Sequence, residues 1–113
     1  MDDTIRRLQA FEAAGADVLY APALYSLEEM RTVTSALKKP FNAVMGFADP
    51  TITLDQLGKA GVRRVSIGGG LNRVALKAFM DAAKQMRAGN FGFIPSMAPM
   101  KEVRDAFRRP MKP

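Results

Sequence analysis

Ser66-Ile67-Gly68-Gly69-Gly70-Leu71-Asn72-Arg73 is the stretch whose residue types and spacing best suit a ligand. A β-branched run, Val65 to Ile67, meets three glycines, and a long helical pattern opens near Asn72. Glycines let a backbone approach a ligand closely. A helix start offers unpaired N–H groups and partial positive charge, so an anion or a carbonyl fits such a place. Ser66 supplies a hydroxyl, and Arg73, near the helix start, a guanidinium. Asn42 and Gly46 stand in the same relation to an earlier strand, 41–45, and Asn42 also suits a carboxylate. Each residue has a plain structural role as well. The glycines can simply make a tight turn, Asn42 and Ser66 can be buried polar groups satisfied by backbone, and Arg73 can be a solvated surface side chain. The candidate set for a small carboxylate or phosphate-like anion is therefore Asn42, Gly46, Ser66, Gly68, Gly69, Gly70 and Arg73.

Other chemistry is thin. The chain has no histidine, so the commonest general base and metal ligand is missing. It has no cysteine, which rules out disulfides and thiolate chemistry and fits a reducing, cytoplasmic setting. Asp17 opens a strand, at the wrong end of a parallel sheet for chemistry. Asp49 lies in a loop on the right side, but alone and beside Pro50, where an aspartate usually forms a turn. Metal sites need clustered carboxylates, so no catalytic residue and no metal ligand is assigned.

The net charge of +6 is half supplied by the stretch from Lys101 onward, and the rest is diffuse. No basic stripe with aromatics accompanies it, so no nucleic-acid partner is expected. No apolar run approaches the roughly 20 residues of a membrane span, and the acidic Met1-Asp2-Asp3 start lacks the features of a secretory signal.

The elements that must position these residues follow from periodicity. Asp2 or Asp3 caps a helix to about Ala14, closed by Gly15. Strands are expected near 17–22, 41–45 and 64–68. Between them, Ser26 opens a helix with a Ser26–Glu29 capping box, burying Met30, Val33 and Leu37 and ending near Lys38-Lys39. Thr53 caps a shorter helix through Leu54, Leu57 and Ala60, closed by Gly61. The helix from Asn72 carries Val74, Leu76, Phe79, Met80, Ala83 and Met86 as its apolar set and stops at Gly89-Asn90. Residues 91–99 are apolar but broken by Gly92, Pro95 and Pro99, and read as a packed irregular stretch. A last short helix is expected over 101–109, before Pro110.

The strand starts recur about every 23 residues, the length of one βα unit. Alternating strands and helices imply parallel pairing with right-handed crossovers. Three such strands make part of a barrel, and its edges stay open unless another chain covers them. We expect one partial (β/α)-barrel domain over 1–113, with βα units over 1–90 and an irregular and helical tail over 91–113.

Three stretches carry a family resemblance: Asp3-Thr4-Ile5-Arg6-Arg7-Leu8-Gln9-Ala10-Phe11 with Ala13-Ala14-Gly15-Ala16-Asp17-Val18-Leu19; Lys39-Pro40-Phe41-Asn42; and Leu57-Gly58-Lys59-Ala60-Gly61-Val62-Arg63-Arg64-Val65-Ser66-Ile67-Gly68. In order and spacing they resemble the sixth, seventh and eighth strand entries of the isocitrate lyase/phosphoenolpyruvate mutase superfamily, over residues 3 to 95. The nearest branch is that of 2-methylisocitrate lyase-like and carboxyphosphonoenolpyruvate mutase-like proteins. The resemblance implies an α/β fold, the C-terminal portion of a (β/α)8 TIM-type barrel, from enzymes that use Mg2+ to stabilise an enolate or oxyanion of small 2-oxo or hydroxy carboxylates. It implies homo-oligomers whose eighth helix, 72–88 here, packs on a neighbour. The family's metal-holding aspartates, catalytic loop and substrate arginine belong to earlier strands and have no match here, and Pro22 stands where other members place Glu or His. The resemblance thus implies a segment inactive alone and holding no Mg2+ by itself. The alternative is a self-associating half-barrel that serves as a binding or scaffold domain without catalysis.

Overall fold

The computed structural model describes residues 1–46 and 48–108. They fall into two compact units, 1–72 and 73–113, of which 109–113 lie outside the described residues.

The first unit alternates helix and strand: α1 (Asp2–Ala13), β1 (Leu19–Tyr20), α2 (Leu27–Ser35), β2 (Phe41–Val44), α3 (Leu54–Lys59) and β3 (Val62–Ser66). The strands form one sheet in the order β1-β2-β3, parallel throughout, as the repeat requires. Leu19 pairs with Phe41 and Tyr20 with Asn42. On the other side of β2, Phe41 pairs with Val62, then Asn42 with Arg64, Ala43 with Val65 and Val44 with Ser66. The jump from Val62 to Arg64 is a bulge that inserts Arg63.

That register sorts the side chains. Leu19, Phe41, Ala43 and Val65 point to the face where Leu8 of α1, Met30 and Val33 of α2 and Leu57 of α3 close a continuous apolar core. Phe41, Leu8, Leu19, Met30, Leu57 and Val33 are the largest fully buried side chains. Burying each is worth about 1.5–3 kcal/mol. The opposite face carries Tyr20, Asn42, Val44, Arg64 and Ser66. All three helices cover one side, as on the outside of a parallel barrel, and the second face is the barrel's inside.

Local chemistry sets the helix starts. Ser26 accepts from the Glu29 N–H at 3.2 Å, and the Glu29 carboxylate accepts from the Ser26 N–H at 3.0 Å, completing the expected box. The backbone N–H groups of Tyr25 and Ser26 on that carboxylate hold its pKa below the usual glutamate value. Thr53 and Gln56 form a second box on α3.

Several boundaries differ from those expected. The first strand has two paired residues, not 17–22. It is an edge strand bonded on one side only, Asp17 and Val18 are exposed, and Pro22 has no N–H to extend the ladder. The third strand runs from Val62 to Ser66 instead of 64–68. The bulge admits Val62 to the ladder, and Gly68, at φ +53°, turns the chain away. α2 ends at Ser35, short of Lys38-Lys39. The backbone N–H groups of both lysines donate instead to the Glu12 carboxylate, at 2.8 and 2.5 Å, which ties α1 to the turn after α2. Leu54 is exposed, so α3 is anchored by Leu57 and Ala60 alone.

In the second unit α4 (Gly70–Arg87, beginning in the last residues of the first unit) runs to the Gly89 turn, starting two residues earlier than expected. A single 3-10 turn (Ile94–Ser96) and α5 (Met100–Arg108) follow. The expected apolar set of α4 is not buried in this chain: Val74 is 68% and Phe79 71% exposed. Phe91, Ile94 and Met97 are exposed as well, so the 91–99 stretch is irregular but not packed. Phe47, where the loop after β2 was expected to open, and residues 109–110, at the expected end of the last helix, lie outside the described residues. Among the described residues no helix is long and apolar enough to cross a membrane.

Candidate functional site

The inner face of the sheet brings three polar side chains into one line. Asn42 sits second in β2, between Tyr20 of β1 and Arg64 of β3. It is 4% exposed, the one buried polar residue among those described. Its Nδ2 donates to Ser66 Oγ at 3.0 Å, and its Oδ1 accepts from Arg64 Nη1 at 2.8 Å. Parallel pairing makes this ladder. Arg64 and Ser66 are two apart on β3 and share a face; the register pairs Arg64 with Asn42 and Ser66 with Val44, so Ser66 stands diagonally from Asn42. The sequence pointed to Asn42 and Ser66 but not to Arg64. The available signal was strand alternation, which puts Arg64 on the face of Ser66. What the sequence does not reveal is the bulge at Arg63 that sets the register.

Ser66 is the last residue of β3, at the strand's C-terminal end, where parallel barrels place their chemistry. Gly46 and Gly68 lie close by. A Cβ on Gly46 would stand 3.1 Å from the Ile67 carbonyl oxygen, so the chain after β2 lies directly against the chain after β3. At Gly68 the positive φ excludes most side chains, and a Cβ would reach Val44 Cγ2 at 3.9 Å. Gly69 has open space around it. Gly70 donates its N–H to the Ile67 carbonyl at 3.0 Å and begins α4. Of the three glycines, only Gly68 is needed for backbone conformation. Gly46, Ser66 and Gly68 thus gather where β2 and β3 end, Asn42 reaches Ser66 from further down β2, and Gly69 and Gly70 follow Gly68 directly. Arg73 is exposed and belongs to the second unit.

Several of the acids are engaged elsewhere. Asp49 accepts from Thr51 N at 2.8 Å and Thr51 Oγ1 at 2.7 Å, a turn that holds its carboxyl below the ordinary aspartate value. Asp3 is paired with Arg6 and Arg7, and Asp81 with Lys77. Among the described residues no three or more His, Cys, Asp or Glu side chains could hold a metal together. The donor set of the described residues does not fit Mg2+.

The sequence and the architecture match a group of known proteins. Residues 1–87 match the family model for phosphoenolpyruvate phosphomutase. The chain belongs to the phosphoenolpyruvate phosphomutase family. A lyase/mutase structure from Burkholderia cenocepacia superposes with a TM-score of 0.88 at 46% identity, covering 96% of this chain and 40% of that one. The chain is 30% identical over 102 residues to an oxaloacetate decarboxylase of Paraburkholderia xenovorans, covering 87% of this chain and 33% of the relative. It is 37% identical over 79 residues to a 2-methylisocitrate lyase of Aeropyrum pernix, covering 68% of this chain and 26% of the relative. The chain thus spans about a third of the length of the curated relatives it matches.

Proposed function

We propose that this chain is the C-terminal segment of a phosphoenolpyruvate phosphomutase-family enzyme, contributing part of a pocket for a small 2-oxo or hydroxy carboxylate, and that it is inactive alone. The observation that carries the reading is the Arg64–Asn42–Ser66 ladder, which ends at the C-terminal end of β3. A hydroxyl there, followed by the N–H groups of Gly68 and Gly69, is suited to a carboxylate or another oxyanion, while the Gly70 N–H is held by the Ile67 carbonyl. The relatives' names support this substrate class: one acts on oxaloacetate and another on 2-methylisocitrate. Phosphorus–carbon chemistry of the carboxyphosphonoenolpyruvate mutase kind is a narrower version of the same proposal.

The described residues supply this face but no cluster of His, Cys, Asp or Glu side chains that could hold a metal. Cleavage of a C–C or P–C bond needs the developing enolate to be stabilised, and that charge must be met by groups outside this chain. Incubated with Mg2+ and oxaloacetate, 2-methylisocitrate or phosphoenolpyruvate, the purified chain is expected to match the protein-free blank. Activity that co-purifies with the chain and scales with its concentration would overturn the reading.

The exposed apolar side chains of α4 favour one further element of the proposal: the chain self-associates, with helix 72–88 at the contact. Val74, Leu76, Phe79, Met80 and Met86 are all exposed on it. Self-association without catalysis would also describe a half-barrel scaffold, and the carboxylate-binding ladder is what favours the enzyme segment.

A further inference from the structure

We infer that Arg64 is a positioning residue: through Asn42 it fixes Ser66 as a hydrogen-bond donor toward a small carboxylate. This rests on the carboxylate reading of the site above. The argument is one of hydrogen-bond direction. A guanidinium has five N–H donors and no acceptor. The Asn42 atom facing Arg64 Nη1 at 2.8 Å must therefore be the carbonyl oxygen. That leaves the amide nitrogen facing Ser66 Oγ at 3.0 Å, and an amide nitrogen can only donate. Ser66 Oγ is thereby committed as the acceptor of this bond, and its own proton is free. Among the described residues the Ser66 hydroxyl donates to no other acceptor, and no carboxylate pairs with Arg64.

The polarity of this chain is what an anion requires. If the Asn42 amide were turned over, its oxygen would face Ser66, and the hydroxyl would spend its proton inward and present lone pairs to the ligand. Burial of Asn42 makes the choice consequential, because an amide cut off from water has no solvent to satisfy the wrong orientation. Arg64 cannot lose its proton at any ordinary pH, so the relay has one direction only.

The test uses the 113-residue chain, with oxalate as the probe, followed by nitrogen–proton correlation spectra. In the wild type, oxalate is expected to shift the Ser66 and Gly68 to Gly70 amides saturably. Arg64→Met should weaken oxalate on the order of tenfold, the worth of one hydrogen bond to a charged group, and should move the Asn42 side-chain NH2 signals. Arg64→Lys, which keeps a donor, should recover most of the affinity. A role in stability alone would leave oxalate affinity unchanged in all folded variants. Equal affinity of wild type and Arg64→Met, with the wild type responding, overturns the positioning role and leaves the carboxylate site standing. A wild type that does not respond overturns the carboxylate reading and this role with it. If Arg64→Met does not fold, Asn42→Asp serves instead. Its carboxylate pairs with Arg64 and takes the Ser66 proton, so the fold should persist and oxalate binding should be lost. Retained oxalate affinity in Asn42→Asp would overturn the inference.

Discussion

Asn42 and Arg64 show how a single side chain acquires meaning from its register. Asn42 after Phe41, inside an otherwise apolar strand, was legible as a candidate because a polar group there must find partners. Arg64 opens the expected third strand, and it is the bulge at Arg63 that sets its pairing with Asn42. At the same scale Gly61 and Gly58 separate a glycine the fold requires from one it does not. Gly61 caps α3 at φ +88°, and a Cβ there would stand 2.6 Å from Thr34 Oγ1, the hydroxyl that donates to the Ala60 carbonyl at 2.5 Å. Gly61→Ala therefore suffers left-handed strain and displaces a tertiary hydrogen bond, and should cost about 1–3 kcal/mol in a denaturant melt. Gly58 lies inside α3 with nothing within 4 Å of a Cβ. Gly58→Ala should stabilise the chain by about 0.5–1 kcal/mol. Equal effects of the two substitutions would contradict the assignment of Gly61 as a cap fitted against Thr34.

At the scale of elements, the helices were the most legible parts. Ser26 with Glu29 is a local signal, and both capping-box bonds are present. Thr53 was legible as a cap for the same reason, although its reciprocal partner Gln56 was not singled out. The strands were legible in number and direction but not in length. A strand's ends depend on which neighbour bonds it, and β1 lost its expected flanks because it pairs on one side only. Helix α4 shows the limit of periodicity. Its apolar residues recur as a buried face would, yet they are exposed here, since a pattern records that a face is covered and not by what. The proposed association through α4 would cover that face. Light scattering at micromolar concentration should give a mass of a dimer or larger, and Leu76→Lys with Phe79→Lys should reduce it toward the monomer. A wild-type monomer would contradict self-association.

At the scale of the molecule, the first unit is an arc of a parallel barrel, with helices on the outside and a polar ladder on the inside. The family was legible because three short segments keep their order and spacing, and the match over residues 1–87 bears this out. The two ends of the sheet offer different sites. At the strand C-terminal ends stand Ser66 and the glycine turn. At the opposite end Lys38, Lys39 and Arg63 surround a cleft of about 260 Å3 with Thr34 and Pro40, and their charge alone would attract an anion. A crystal of the chain soaked in oxalate distinguishes the two directly. Oxalate density is expected within hydrogen-bonding distance of Ser66 Oγ and the Gly68 and Gly69 N–H groups. Density in the Lys38, Lys39 and Arg63 cleft, with the glycine turn empty, would contradict it.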